Sequence, residues 1–247
     1  MQRLIRNPLG GTENEFMKIQ IIYGIIFSIL ICQRIYAQTC PMLNVRFAEE
    51  FYSKSIPAYK YSTLLSRFLN GDTTLTDTAL VMLVYGHSRH PSYRADDDRD
   101  TERELLELLF SNNYSKAYSK AASYLESNPL SLRGHLVATN SAFALGDTIN
   151  GKKFMLRQYQ LLGAVFSSGT GTHSDSAWTV HAVLEEYSIL SFLGYRSTRQ
   201  ALIRNSLGDN CDVQDVVSMK DSNDVRSFYF NVTLPWLHEA KKSFRLR

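Results

Sequence analysis

A threonine and glycine loop that runs straight into a well-marked apolar periodicity, Ser167 to Tyr195, constrains this fold more than any other stretch of the chain. Ala177, Val180, Val183, Leu184, Tyr187 and Leu190 recur at helical spacing, with Thr179, His181, Glu185, Glu186 and Ser188 between them, which predicts a half-buried helix over 177–193. Ser174, Asp175 and Ser176 offer side-chain oxygens to the first-turn N–H groups, and Gly194 tolerates the left-handed residue that ends a helix. Tyr187 and Trp178 are expected in the core.

The residues ahead of that stretch repeat one theme. Helical pieces are predicted at 45–52 and 59–69, separated at Pro57, and a short, almost wholly apolar one at 79–85, capped by Thr76 or Asp77. Residues 86–100 hold Pro91, four aspartates and three arginines with no apolar period, so they read as a surface loop. Helices are then predicted over 101–110, 115–125, 130–145 and 151–166, with links short enough to make neighbours antiparallel. Ala117, Ala121 and the Asn128-Pro129 turn are similar to a tetratricopeptide helix pair, although no second copy recurs at about 34 residues.

Beyond Gly194 the period changes from helical to alternating. Residues 200–203, 213–217 and 227–233 are short, rich in β-branched or aromatic side chains and bounded by Gly208-Asp209-Asn210 and Asp221-Ser222-Asn223-Asp224. Phe228, Phe230 and Val232 alternate with Tyr229 and Asn231, as in a strand with one buried face. The expected fold is therefore mainly α: an antiparallel helical-hairpin array, tetratricopeptide-like in character, with a small C-terminal antiparallel β-sheet (α+β) packed on the 177–193 helix.

Residues 1–37 read as an upstream extension followed by a signal peptide, and 38–247 as one mostly helical domain. The run Ile19 to Ile31 follows Lys18 and precedes a small residue, Ala37, at a plausible cleavage point before Gln38; translation would start at Met17. The run is shorter than the roughly 20 residues a spanning helix needs, so no stable membrane span is expected after its removal. Export would place Cys40 and Cys211 in an oxidising compartment, where they are a candidate disulfide; two unpaired thiols are the plainer alternative. The formal net charge is +3, and Arg3, Arg6, Lys18 and Arg34 lie ahead of the domain, so nothing steers the chain toward nucleic acid.

Several of these pieces together resemble a known family: Asp72-Thr-Thr-Leu-Thr, Tyr85-Gly86, Pro91-x-Tyr93, Ser168-Gly169, Glu185-Glu186-Tyr187, Leu193-Gly194, 200–203 and Phe228-Tyr229-Phe230-Asn231. On them, residues 45–235 are similar to domain of unknown function 4919, a family of secreted proteins of Gram-negative bacteria. The resemblance implies export and a mostly helical fold, and carries over no activity or catalytic residue. Val84-Tyr85-Gly86 departs from it, where the family has a second tyrosine.

Two segments hold residues able to bind or react. His87, His90, Tyr93 and Arg94 can form a rim in the 86–100 loop, and Asp97 and Asp98 can face a cation, though without the regular oxygen spacing of a calcium loop. Thr170, Thr172, His173 and Asp175 sit in a loop whose backbone N–H groups can face an anion, although the lysine of a phosphate loop is missing. His181 and Glu185 stand one helical turn apart and can share a ligand, with His173 as a third. The plainer reading is a solvated charged loop, an ordinary helix cap and a surface ion pair. No metal or other cofactor is expected, because zinc-hydrolase, nucleophile-elbow and catalytic-cysteine patterns are absent. Two functions stay open. The first is a secreted or periplasmic module that binds a protein or peptide in the cell envelope without catalysis. The second is a hydrolase or glycan-active enzyme with its site between loops 86–100 and 167–176, which requires those loops to converge on one cleft.

Overall fold

A computed structural model describes residues 42–95 and 99–238. Eight helices come first: α1 (Val45–Ser53), α2 (Tyr61–Leu69), α3 (Asp77–Arg89), α4 (Arg99–Phe110), α5 (Tyr114–Ser127), α6 (Leu132–Ala144), α7 (Thr148–Ser167) and, after a two-residue strand β1 (Trp178–Thr179), α8 (Leu184–Leu193). Strands β2 (Tyr195–Arg204), β3 (Asn210–Ser218) and β4 (Val225–Asn231) follow, and residues 233–238 turn helical again. The fold is α+β and mainly α.

Local chemistry starts most of these helices. Asn44 caps α1 by accepting from Phe47 N at 3.0 Å, Thr76 caps α3 from Ala79 N, Ser131 caps α6 from Gly134 N and Asp147 caps α7 from Asn150 N. α4 packs on α5 and α6, α5 on α6, and α6 on α7, around an inner cluster of Leu105, Ala117, Ala121, Leu125, Val137 and Ala138. The small residues let these helices approach closely. The larger core lies beside it, where α3 packs on α7 and Phe68, Met82, Leu83, Leu162, Ile189 and Phe230 are sealed from solvent.

The sheet order is β1-β4-β3-β2. β2, β3 and β4 form the expected antiparallel ladder, with a bulge at Ser197/Arg199, and β1 adds a parallel edge, pairing Trp178 with Phe230. The expected buried face of β4 is present: Phe230 and Val232 are in the core and Phe228 packs against it. Their cover differs from expectation. Trp178 stacks on Phe228 at 5.3 Å and meets Phe166 of α7 at 5.2 Å, while α8 packs on β2.

The 177–193 helix is corrected in two respects. Only its second half is helical, because Trp178 and Thr179 are drawn into the sheet by β4. Its polar and apolar sides are also partly exchanged: Ala177, Val180 and Leu190 are buried as expected, but Tyr187 is 39% exposed, whereas His181, Glu185 and Glu186 are buried. Ser174, Asp175 and Ser176 form a separate 3-10 turn rather than a cap, and Val183 precedes α8 without a side-chain cap; Gly194 does end α8, at φ 83°. The polar 86–100 loop is corrected as well. α3 runs on to Arg89, with Gly86 inside it because a Cβ there would meet Tyr61 Cβ at 3.0 Å, and Tyr93 is fully buried.

Candidate functional site

The helical extension of α3 aims His87 inward, where it is 4% exposed. One ring nitrogen, Nδ1, shares a hydrogen bond with Tyr61 Oη of α2 at 2.9 Å. Burial, reinforced by His181 and His90, pulls the His87 pKa down to about 3, so the ring is neutral. Burial likewise pushes Tyr61 up to about 12. Tyr93 packs its ring 5.4 Å from His87 and 4.7 Å from His238, and its hydroxyl donates to His181 O. That bond fixes the backbone entering α8.

Opposite stands a second buried set. Glu102, in the first turn of α4, accepts at Oε1 from Ser131 Oγ at 3.0 Å and from Tyr124 Oη at 3.1 Å, while Arg133 Nη1 lies 3.2 Å from Oε2. Burial raises the Glu102 pKa, against the pull of Arg133, Ser131 and Tyr124 and with a smaller push from Glu185. Ser131 Oγ also accepts from Gly134 N at 3.0 Å, so this hydroxyl is committed on both sides.

His181 and Glu185 stand between two pockets. His181 Nδ1 is 2.8 Å from Glu185 Oε2, and both side chains are under one-tenth exposed. On one side lies a small polar pocket bounded by His87, Arg94, Glu102, Tyr124 and Ser131; on the other, a small, mainly apolar one walled by Val81, Val84, Leu161, Val165 and Thr179. Glu185 lines both pockets; its Oε1 is buried without a hydrogen-bond partner among the described residues, and so is Thr179 Oγ1. A buried polar atom left in this way costs about 1–3 kcal/mol.

Of the residues singled out from sequence, His87, Arg94, His181 and Glu185 come together here, with Tyr93 behind them. Arg94 donates to Tyr93 O at 2.9 Å, and His90 is exposed, its Nδ1 2.6 Å from Ser92 Oγ. Thr170, Thr172, His173 and Asp175 line neither pocket. Thr170 Oγ1 is bonded to Thr172 and Ser176 hydroxyls at 2.8 Å, the amides of Thr170 and Gly171 both donate to Ser176 O, and Asp175 accepts from Ser206 N, which lowers its pKa. His173 gives its carbonyl to Ser176 N. Neither of these two pockets is lined by residues of both loops. The glycines there serve packing: Gly171 has φ 70°, and a Cβ on it would meet Trp178 Cδ2 at 2.5 Å.

Glu102, Tyr124, Ser131 and Arg133 carry no sequence signal of a site, and Thr179 only its place on the polar side of the expected helix. Among the described residues no group of three or more His, Cys, Asp or Glu is placed to hold a metal ion. Asp97, Asp98 and Cys40 lie outside the described residues. Cys211 is a buried thiol whose pKa burial pushes up to about 12, with Sγ 3.6 Å from Ser174 O. Beneath the sheet, Gln214 Nε2 donates to buried Glu186 at 2.6 Å, and Gln200 to Asp212.

No curated protein and no solved structure matches the chain. The sequence model of the family described as Domain of unknown function (DUF4919) matches residues 52–241, which include the whole polar pocket and the sheet. The chain therefore belongs to the domain of unknown function 4919 family.

Proposed function

We propose that this is an exported, envelope-associated module that binds a protein or peptide partner without catalysis, capturing one group of that partner against the His181–Glu185 wall. The observation that carries this reading is the Glu185 carboxylate: 5% exposed, held by His181 through one oxygen, without a hydrogen-bond partner at the other among the described residues, and on a residue that lines two pockets. Pockets with a few convergent polar groups are the usual form of a ligand site. The surrounding groups favour binding over turnover. Ser131 is committed as a cap and as a donor to Glu102, Glu102 is held by three partners, and the Cys211 thiol, pushed up to about 12, is a poor nucleophile. Export rests on the Lys18, Ile19–Ile31 and Ala37 pattern. Among the described residues no helix is long and apolar enough to cross a membrane.

The test is a titration of ¹⁵N-labelled protein with pentapeptides Gly-Gly-X-Gly-Gly covering the natural side chains. At least one is expected to shift the amides of Ala182, Leu184, Glu185 and Ser131; shifts elsewhere, or none, would overturn the reading. In a Gram-negative host the mature N-terminus should be near Gln38, and full-length protein kept in the cytosol would refute export.

A second reading, an acid–base hydrolase or glycan-active enzyme, is favoured by one observation: Glu185 lies near enough to raise the Glu102 pKa, and both carboxylates face the same pocket. Turnover of a nitrophenyl glycoside or ester that vanishes in Glu185→Gln would favour it over binding alone.

A further inference from the structure

A third cavity lies where α1 ends, the chain turns and α2 begins, and it shares no lining residue with the two pockets at the His181–Glu185 wall. Its volume is about 220 Å³, whereas a single water needs roughly 10–15 Å³. A ring with a short side chain therefore fits. Four aromatic side chains wall it: Phe51 and Tyr52 from α1, Tyr59 from the 3-10 turn Pro57–Tyr59, and Tyr61, which opens α2. Phe51 meets Tyr59 edge-on at 5.0 Å and Tyr52 meets Tyr85 at 5.4 Å, so neighbouring rings hold these walls in place. Ser55 takes the left-handed backbone conformation, at φ 49°, that reverses the chain after α1.

The polar groups of this cavity are uncommitted. Tyr52, Ser55, Tyr59 and Lys60 all line it, and among the described residues their side chains make no hydrogen bond or ion pair. Tyr52, Ser55 and Lys60 are exposed, so a ligand can reach them from solvent. The Tyr61 hydroxyl, in contrast, is bonded to His87 Nδ1 at 2.9 Å, which leaves its ring as the contributing surface. The charge has one sign, because Lys60 lines the cavity and no aspartate or glutamate does. A cation, which aromatic rings attract, would meet the Lys60 ammonium with no carboxylate to offset it. A sugar would bring hydroxyls to every wall, yet Phe51, Ile56 and Met82 offer them no partner and no carboxylate or amide side chain lines the site. A flat aromatic body suits such walls, since rings pack on one another offset or edge-on.

We propose that this cavity is a binding site for a small aromatic carboxylate. The ring of the ligand lies among Phe51, Tyr59 and Tyr61, and its carboxylate accepts from the Lys60 ammonium and from the Tyr52 and Ser55 hydroxyls. Because Lys60 is exposed, its charge contributes a modest factor and contact with the rings supplies most of the affinity. The site is independent of the peptide reading above.

Titration of the ¹⁵N-labelled protein with phenylacetate, phenylacetamide, benzyltrimethylammonium and glucuronate tests this, because the probes separate the ring from the charge and its sign. Phenylacetate is expected to shift the amides of Ser55, Ile56, Tyr59 and Lys60 and to bind at least threefold more tightly than each of the other three. Lys60→Gln, at an exposed position, is expected to lower the phenylacetate affinity to that of phenylacetamide and to leave phenylacetamide unchanged, and Tyr59→Ala to weaken both. Equal binding of phenylacetate and phenylacetamide, tighter binding of the ammonium or of the sugar acid, or a phenylacetate affinity that Lys60→Gln leaves unchanged overturns the proposal. So do shifts confined to other surfaces and the absence of any saturable shift. The wild-type comparison stands even if Tyr59→Ala does not fold. The peptide reading fails or holds separately, since its titration follows amides at the His181–Glu185 wall.

Discussion

Acidification should unfold this protein through two buried imidazoles. His87 is 4% exposed and His135 1%, and burial pulls each pKa down to about 3 from an ordinary 6.5. His135 is fixed through Nε2, which donates to Pro129 O at 2.9 Å, while its Nδ1 has no hydrogen-bond partner among the described residues. The sign follows from linkage. Both groups have folded pKa values below their unfolded ones, so the stability they contribute is fully present above about pH 6.5 and is lost as the pH falls toward 3. Each loses up to about 1.4 kcal/mol per pH unit in that window. Together they remove about 5 kcal/mol between pH 6.5 and 4.5, comparable to the whole stability of many domains. Glu102 and Asp212, raised by burial, act in the opposite sense, since their neutral forms suit the folded state and gain weight in acid. Urea unfolding at pH 7.5, 6.5, 5.5 and 4.5 reads the slope directly. His87→Gln and His135→Gln should each roughly halve it, whatever they do to the stability at neutral pH. A wild-type stability that is flat over this range, or variants as steep as the wild type, would refute the argument.

Packing and charge yield further expectations, all measurable in denaturant melts. Phe230→Ala, at a fully buried position, should cost about 3–5 kcal/mol, whereas Tyr187→Ala, 39% exposed and tied only to Gln200 Oε1 at 2.8 Å, should cost under about 1 kcal/mol; similar losses would mean that the α8 faces are misassigned. Gly171→Ala should cost at least about 2 kcal/mol more than Gly146→Ala, because both have positive φ but only the first would drive a Cβ into Trp178. Equal losses would remove the packing role of the loop. Glu102→Gln leaves Arg133, 14% exposed, without its partner and should cost about 3–5 kcal/mol; a neutral effect would show the pair to be solvated.

Elements whose cause is local were readable in the chain. Thr76 caps the helix that follows it, Gly194 ends α8, and the alternation of Phe228, Phe230 and Val232 marks the buried face of β4. What misled was every feature decided by distant partners. Trp178 and Thr179 fit a helical period, yet β4 supplies a ladder only 52 residues later, with Phe230 opposite Trp178. Glu185 and Glu186 look like a solvent face because carboxylates usually are. Here His181 and Gln214, at 2.8 and 2.6 Å, make their burial possible. Tyr93 sits in a run of charges but is buried, because His87, His181 and His238 surround it. The same limit applies to the site. His87, Arg94, His181 and Glu185 were recognisable as reactive residue types, but Glu102, Ser131 and Thr179 enter it only by tertiary convergence, and the threonine and glycine loop drops out because its amides bond within the turn.

The central claim is that the His181–Glu185 wall receives a group from a peptide partner. Its most direct test is an NMR titration with the pentapeptides Gly-Gly-X-Gly-Gly, following the amides of Thr179, Val180, Ala182 and Glu185 in the wild-type protein and in Glu185→Gln. Saturable shifts at those amides, with at least tenfold weaker binding in the variant, are the predicted result. Shifts confined to other surfaces, or an affinity that Glu185→Gln leaves unchanged, would contradict the account.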